Sequence, residues 1–212
     1  MMKRRLTSPD DAKTRSQKRK RGSSLMFTLE EVAAFFNIFE DGMVKGFLQR
    51  DMCYRIADKY LLAMTFVYFK RVRMDYRFYS PTAFFIALYL ANCVEEEDQG
   101  LRKEILPWTL GVYWENCKKF FLNARDQLWR EMGFNAIVSK ELCEEVMALA
   151  PDHPIWRRNR LDHHGDAVKL CHQTEVVSVR GPYAPPPPGC IECDEWHTQS
   201  QYPDDFYSSP PC

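Results

Sequence analysis

The sequence lacks the motifs by which common enzyme classes are recognised. It contains neither a phosphate-binding Walker loop nor a glycine-rich dinucleotide-binding motif, and no segment of it repeats. The five histidines fall in the last third of the chain, and none of them lies in a recognisable catalytic motif. We therefore predict a protein that is not an enzyme and needs no cofactor.

Strand patterns and membrane-spanning runs are also missing. Before residue 174 no segment has strand periodicity with hairpin turns, and only Thr174 to Val179 would suit a short strand. The most apolar run, Tyr60 to Phe69, is far shorter than the about 20 residues that cross a bilayer. No apolar stretch follows the basic N-terminus, as it would in a signal peptide. We expect an all-α protein without a membrane partner, whose eight dispersed cysteines stay reduced inside the cell.

The middle of the chain contains a strongly apolar stretch. Between Tyr60 and Phe69 only Thr65 is neither apolar nor aromatic, and no glycine or proline interrupts the run. A helix that is apolar on every side must be enclosed by other elements. The sequence therefore predicts a central buried helix from about Asp51 to Met74.

Capping residues mark the helices that would enclose it. Thr28 and Glu31 have the spacing of a capping box, and Ser80-Pro81 is a typical start for a second buried helix to Val94. Met43 to Leu48 is predicted to be a short lead-in to the central helix. Two further helices are predicted over 115–132, with Phe120, Phe121, Ala124, Leu128 and Met132 inward, and over 139–150, with Leu142, Cys143, Val146 and Leu149 inward; a helical turn follows at 154–158.

Both ends of the chain differ in composition from the middle. Residues 1–26 are polar and basic, and we predict a disordered arm. Its nine Lys or Arg against two Asp give residues 1–24 a net charge of +7, which leaves −7 for the rest. The arm has no aromatic residue within its basic clusters, so direct nucleic-acid contact is less favoured than nuclear import or a merely solubilising tail. The candidate import signal is bipartite and consists of Lys3, Arg4, Arg5, Lys18, Arg19, Lys20 and Arg21.

The C-terminal part ends in a proline-rich tail. Residues 181–212 hold eight of the thirteen prolines and five acids, without Lys or Arg. We predict a disordered acidic tail of polyproline II character there, preceded by a poorly defined extension over 161–180.

Cys190 and Cys193 form a C-x-x-C pair in that tail. Structural zinc usually takes two close pairs of soft ligands, and here the other candidates are Cys171-His172 and His197. That spacing does not make a second pair, and His163 and His164 are predicted to point in different directions. The pattern favours no metal site, with Cys190 and Cys193 as the candidates if one exists.

Two groups of acids remain to be explained. Asp51 and Asp58 are seven residues apart on the predicted helix with Arg55 between them, which is typical of a surface salt-bridge ladder. Glu95 to Asp98 end the second buried helix, where negative charge opposes the helix dipole. Such a run is either a solvated loop or a surface that receives cations from a partner.

Several long segments resemble the Speedy/RINGO box. They are 34–41 (AFFNIFED), 56–71 (IADKYLLAMTFVYFKR), 84–92 (FFIALYLAN), 125–129 (RDQLW) and 143–148 (CEEVMA). The resemblance covers roughly residues 28–160, and the short basic arm points to the C-type member of the family.

The resemblance implies a single cyclin-like helical box over 27–160. It also implies that the protein binds one cyclin-dependent kinase of the cell-cycle class and activates it without a cyclin or a phosphorylated activation loop. It would thereby promote cell-cycle progression in the nucleus. The alternatives are a nuclear adaptor that binds a kinase or another partner without activating it, and a zinc- or nucleic-acid-binding protein.

The resemblance also nominates the residues that contact the kinase. Asp58 is the first choice for a carboxylate that stands in for the activation-loop phosphate, Asp51 is the second, and Glu95 and Glu96 are the third. The family's acidic run after the first helix is reduced here to Glu40-Asp41 followed by Gly42, so a contact there is in doubt.

Overall fold

The computed structural model describes residues 25–96, 100–164, 179–185, 190, 191 and 193. These residues contain seven α-helices. No strand occurs among these residues, so the all-α prediction is confirmed; residues 174–178 of the predicted strand lie outside them. No helix in the described ranges combines the length and apolarity needed to span a membrane. The helices are α1 (Leu29–Ile38), α2 (Gly42–Arg50), α3 (Lys59–Arg71), α4 (Pro81–Glu95), α5 (Ile105–Leu110), α6 (Trp114–Glu131) and α7 (Lys140–Met147).

Helix α3 is the centre of the bundle, as its apolar sequence predicts. Every residue from Leu61 to Phe69 is buried, and α4 and α7 pack against it most closely. Helix α1 covers another side, where the ring of Phe35 stacks on that of Phe66 with their centroids 4.3 Å apart. Thr65, the one polar residue of the run, donates its hydroxyl to the Leu62 carbonyl at 2.7 Å. The helix therefore buries all its sides without leaving that hydroxyl unpaired.

The start of the central helix was predicted eight residues too early. Helix α2 ends at Arg50, residues 51–58 form a loop, and α3 begins after its N-cap Asp58. Asp51 accepts hydrogen bonds from the backbone amides of loop residues, and Asp58 accepts from the first amides of α3. Asp side chains compete in this way for backbone donors and so favour helix ends over helix interiors. Asp51 and Asp58 share no helix face, and the predicted ladder through Arg55 is wrong.

The predicted caps are confirmed, and the errors concern exposed side chains. The Thr28 capping box and the Ser80 and Ser139 caps are all present. Phe120 was predicted inward but is 75% exposed, because α6 turns only a narrow stripe with Phe121 and Leu128 toward the core. Helix α7 ends at Met147 rather than Ala150, which leaves Leu149 in the following turn, 41% exposed.

The start of the proline-rich tail lies against the bundle. Arg50, at the end of α2, donates hydrogen bonds to the carbonyls of Gly181, Pro182 and Ala184. Gly181 approaches Pro107 so closely that a Cβ atom would lie 2.9 Å from the proline ring. Residues 181–184 thus have a defined position on the surface of α2 and α5, which the prediction of a tail disordered from residue 181 did not anticipate.

Candidate functional site: an acidic groove beside the loop between α2 and α3

Asp51 organises the loop over residues 51–58. One carboxylate oxygen, Oδ1, accepts from the Arg55 amide at 2.9 Å, and the other, Oδ2, accepts from the Ala57 amide at 2.8 Å. Both oxygens also lie 3.3 Å from the Ile56 nitrogen. Within the loop, Tyr54 has a φ of 55°, a left-handed conformation that non-glycine residues seldom adopt unless the surroundings hold them there. The Asp51 carboxylate provides that constraint.

Arg158 holds the same loop from the opposite side. Its Nε donates to the Ala57 carbonyl at 2.6 Å and its Nη1 to the Leu48 carbonyl at 3.0 Å. Its Nη2 lies 3.0 Å from Asp51 Oδ2, and the two side chains are only 12% and 5% exposed. The guanidinium also covers the Tyr54 ring, 4.4 Å from its centroid. Asp51 is therefore the buried centre of a network rather than an exposed surface acid.

Asp58 has two separate sets of partners. Its Oδ1 caps α3 by accepting from the Tyr60 amide at 2.9 Å and the Leu61 amide at 2.8 Å. Its Oδ2 lies 3.1 Å from Nη2 of Arg160. Burial raises the pKa of Asp58, while the Leu61 amide and Arg160 act in the opposite sense. A carboxylate held this way is partly desolvated, which strengthens any charge-assisted bond that reaches it.

Arg160 joins this carboxylate to the acidic end of α4. The same Nη2 lies 2.6 Å from Oε1 of Glu96 and 3.2 Å from the Arg55 carbonyl. The Arg160 and Glu96 side chains are only 14% and 11% exposed. Glu96 is thus part of a packed ion cluster, and the solvated-loop interpretation is wrong for it. Glu95, the last residue of α4, is exposed, and Glu97 and Asp98 lie outside the described residues.

These side chains line one groove of about 450 Å³. Three carboxylates, of Asp58, Glu95 and Glu96, face two cations, Arg160 and Lys140, so the charged lining carries a net negative charge. Its remaining lining is mostly apolar and comes from Tyr60, Leu61, Met64, Val138 and Cys143. A negative groove with apolar walls can receive a cationic side chain and bury the stem that carries it.

The segment after α7 supplies the residues that the sequence prediction missed. Arg158 and Arg160 follow the helical turn Pro154–Arg157, and no periodicity in the sequence assigns them to a helix face. The available signal was the cluster of arginines at 157–160 in a body that is otherwise acidic. Such a cluster favours pairing with carboxylates, because Arg presents several donors in a planar fork.

Comparison with known proteins identifies the family. Residues 30–160 match the family model Spy1, described as a cell cycle regulatory protein, and the chain is 48% identical to Speedy protein A of Rattus norvegicus over 195 residues. The chain belongs to the Speedy/RINGO family. The match with Speedy protein A covers 92% of this chain and 61% of that protein. Speedy protein C of Homo sapiens is 47% identical over 164 residues, covering 77% of this chain and 60% of that protein.

Both matches are partial with respect to the relatives. The chain spans about three fifths of the length of the Speedy A and C proteins. The two identities are nearly equal, so they do not favour the C-type over the A-type member. The resemblance to the Speedy/RINGO box is confirmed, and the family is one of cell cycle regulatory proteins.

The matched region contains the whole acidic groove. Asp58, Glu95, Glu96 and Arg160 all fall within residues 30–160. Asp51 also falls within the region but does not line the groove, because it is enclosed by Arg158 and the loop amides. The structure therefore brings three of the four predicted kinase-contact residues together in the groove, and the fourth, Asp51, lies outside it.

The remaining predicted site residues lie outside the matched region. The basic clusters at 3–5 and 18–21 lie outside the described residues, as do Cys171, His172 and His197. Cys190 and Cys193 are described, and their sulfur atoms lie beside Cys53 and His164. His163 and His164 do not point in different directions, since both imidazoles contact Cys193, at 3.4 and 3.2 Å from its sulfur.

Proposed function

We propose that this chain binds a cyclin-dependent kinase of the cell-cycle class, one kinase per chain, and activates it without a cyclin. Activation would not require phosphorylation of the kinase activation loop. Membership of a family of cell cycle regulatory proteins supports a regulatory rather than a catalytic role. The structural observation that carries the proposal is the negative groove in which Asp58, Glu95 and Glu96 meet.

The physics of kinase activation explains what such a groove would do. An active kinase needs its αC helix turned inward, so that a Lys–Glu pair forms and the metal-binding Asp is in place. A phosphorylated threonine ordinarily orders the activation loop by gathering arginine side chains around it. Carboxylates of a partner can accept the same guanidinium groups through charge-assisted bonds. The groove would thus replace the missing phosphate.

Asp58 is the residue that we assign to this substitution. Its Oδ1 is occupied by the α3 amides, while Oδ2 shares a single donor, Nη2 of Arg160, with Glu96. A carboxylate oxygen has two lone pairs, so an incoming guanidinium can bind Oδ2 without uncapping the helix. Glu95 and Glu96 would supply the rest of the negative charge. Asp51 has an indirect part, since its saturated carboxylate keeps the loop and its neighbour Asp58 in position.

The test is a kinase assay with the full chain. A purified cell-cycle kinase with an unphosphorylated activation loop is mixed with the chain, and phosphate transfer to a peptide is measured together with binding by calorimetry. Asp58→Asn keeps an N-cap acceptor for α3, because Asn and Asp cap equally well, but it removes the negative charge. We expect binding to persist and activation to fall about 10-fold or more, the equivalent of one charge-assisted hydrogen bond.

A matched control uses the cap of a different helix. Asp41 caps α2 through the Met43 and Val44 amides and does not line the groove, so Asp41→Asn should activate like the wild type. Full activation by Asp58→Asn would contradict the phosphate-substitute assignment. Binding by the wild type without any activation would instead identify the chain as an adaptor.

Nuclear localisation is part of the proposal. The two basic clusters of the N-terminal arm have the composition of a bipartite import signal. A chain that lacks residues 1–24 should activate the kinase normally in solution but lose its nuclear accumulation in cells. An unchanged nuclear fraction would assign the arm a solubilising role only.

A further inference from the structure

Three distant parts of the chain bring soft metal ligands to one point. Cys53 lies in the loop between α2 and α3, His164 ends the helical turn Asp162–His164, and Cys190 and Cys193 lie in the tail. One ligand atom from each of the four residues lies within 4.8 Å of each of the others. Cys193 is buried and the other three are partly buried. Such a convergence is not needed by the helical bundle, whose hydrophobic core contains none of the four residues.

Two distances among these atoms are close to those in the shell of a tetrahedral ion. Zinc binds thiolate sulfur at about 2.3 Å and imidazole nitrogen at about 2.0 Å, which places neighbouring sulfurs about 3.8 Å apart and a sulfur and a nitrogen about 3.5 Å apart. The Cys193 and Cys53 sulfurs are 3.7 Å apart, and the Cys193 sulfur is 3.2 Å from His164 Nε2. A disulfide needs about 2.05 Å between its sulfurs, so the Cys193 and Cys53 sulfurs, 3.7 Å apart, are not bonded to each other.

We propose that Cys53, His164, Cys190 and Cys193 form a structural zinc site. Three thiolates and one imidazole suit zinc rather than magnesium or calcium, which prefer oxygen ligands. Four protein ligands fill a tetrahedron and leave no position for a reacting water, which is the arrangement of a structural and not a catalytic site. The C-x-x-C spacing gives the tail pair, and Cys53 with His164 gives the second pair that sequence spacing did not reveal.

His164 rather than His163 is the fourth ligand. His163 Nε2 lies 3.4 Å from the Cys193 sulfur and 3.8 Å from the Cys190 sulfur, but only His164 forms the compact group that also includes Cys53. The two rings lie 4.1 Å apart between their centroids. His163 would therefore lie beside the metal and help to exclude water from it.

The zinc site would attach the tail to the loop over residues 51–58, which lies beside the acidic groove. Cys53 belongs to the loop organised by Asp51, and Arg158 holds that loop through the Ala57 carbonyl. Zinc would add a second attachment through Cys53 and would close a long segment of chain on itself. A cross-link of that length restricts the unfolded chain as well as the native loop. The site thus provides a structural role for the tail that does not depend on the proposed kinase function.

The test measures metal in the full chain, purified without a chelator and then dialysed against one. Zinc content by mass spectrometry should be one ion per chain before dialysis. Titration of the metal-free chain with Co²⁺ should produce the charge-transfer bands of cobalt thiolates and the intense visible bands of tetrahedral coordination. Cys53→Ser and His164→Asn should each weaken zinc binding by more than about 100-fold, because even partners outside the ligand shell contribute about 10–100-fold.

Matched variants separate this site from others. Cys117→Ser changes a partly exposed free cysteine outside the cluster and should bind zinc like the wild type. His163→Asn should weaken binding less than His164→Asn, and the opposite order would overturn the choice of the fourth ligand. If Cys190→Ser abolishes binding while Cys53→Ser and His164→Asn do not, the metal is held by tail residues alone and the proposal is wrong. A chain that binds no zinc when its thiols are shown to be reduced would also overturn it.

Discussion

Arg160 lies between Asp58 and Glu96, and its Nη2 is 3.1 Å from the first carboxylate and 2.6 Å from the second. The pair with Asp58 connects the last residues of the matched region to the start of the central helix. Since two carboxylates share one cation, the cluster keeps a net negative charge even though it is largely buried. The groove therefore keeps its negative charge in the free chain.

Replacing Arg160 should therefore destabilise the fold. Arg160→Gln leaves two partly buried carboxylates without their cation, and breaking a buried pair from one side costs about 3–5 kcal/mol. Because the Arg160 side chain is 14% exposed, we expect the lower end, about 3 kcal/mol, in the free energy of unfolding measured with urea.

The control for this prediction is an exposed ion pair. Arg77 and Asp75 pair at the surface, with side chains 71% and 35% exposed, and exposed pairs contribute little to stability. Arg77→Gln should therefore change the unfolding free energy much less than Arg160→Gln. Equal effects of the two substitutions would mean that the cluster at Arg160 is solvated in solution.

The aromatic contact between α1 and α3 gives a second prediction. Phe66 is fully buried and stacks on Phe35 at 4.3 Å between ring centroids. Phe66→Ala should lower the unfolding free energy by about 3–5 kcal/mol through lost burial and a cavity. Phe120→Ala, which removes a ring that is 75% exposed, should stay within about 0.5 kcal/mol of the wild type. A large loss of unfolding free energy in Phe120→Ala would instead support the prediction that Phe120 faces the core.

The stability of the chain should fall when His153 is protonated. Burial lowers the pKa of His153 below its ordinary 6.5, with Glu40 acting in the opposite sense, and its Nδ1 accepts from the Ile155 amide at 3.3 Å. A protonated ring cannot accept that bond, so the folded state binds fewer protons than the unfolded state. The stability that neutral His153 contributes is therefore fully present above the pKa of this residue in the unfolded chain. It is lost as the pH falls through the pKa of His153 in the folded chain.

The measurement compares urea unfolding near pH 8 with unfolding near pH 5, on either side of the ordinary histidine pKa of about 6.5. His153→Asn keeps a capping acceptor that does not titrate, so its stability should decrease less over this range than that of the wild type. If the two proteins lose the same amount of stability between pH 8 and pH 5, groups other than His153 cause the loss.

The accuracy of the sequence predictions depends on how far apart in the chain the interacting residues lie. Local signals worked: the Thr28 capping box, the Ser80 and Ser139 caps and the apolar run of α3 are all where the pattern placed them. The start of α3 was wrong because Asp51 and Asp58 were considered as helix-face residues, although Asp at such positions also signals the end of one helix and the start of another.

The sequence predicted the carboxylates of the site but not the arginines that pair with them, for a different reason. Its carboxylates belong to helix ends that can be found locally, but their partners, Arg158 and Arg160, come from a segment without periodicity. The cysteine cluster shows the same limit, since Cys53 and Cys190 are joined only by the tertiary fold. Pairing across such distances is set by packing, which single-sequence patterns do not encode.

The attachment of the tail gives the last prediction. Arg50 donates to three carbonyls of residues 181–184, and the Ala184 amide closes the turn by donating to the Gly181 carbonyl at 3.1 Å. Arg50→Gln removes most of these donors and should speed amide hydrogen exchange at Ala184. Because the docked turn lies only a few residues before Cys190 and Cys193 in the chain, docking would raise the effective concentration of these two cysteines near Cys53. The variant should therefore bind zinc about 10-fold more weakly, with the cobalt spectrum of the wild type because no ligand has changed.

Lys119→Gln, an exposed substitution on α6, is the control and should alter neither the exchange rate at Ala184 nor the affinity for zinc. Unchanged exchange at Ala184 in Arg50→Gln would mean that Arg50 does not hold the tail in solution, and an altered cobalt spectrum would mean that the variant changes the ligand set itself.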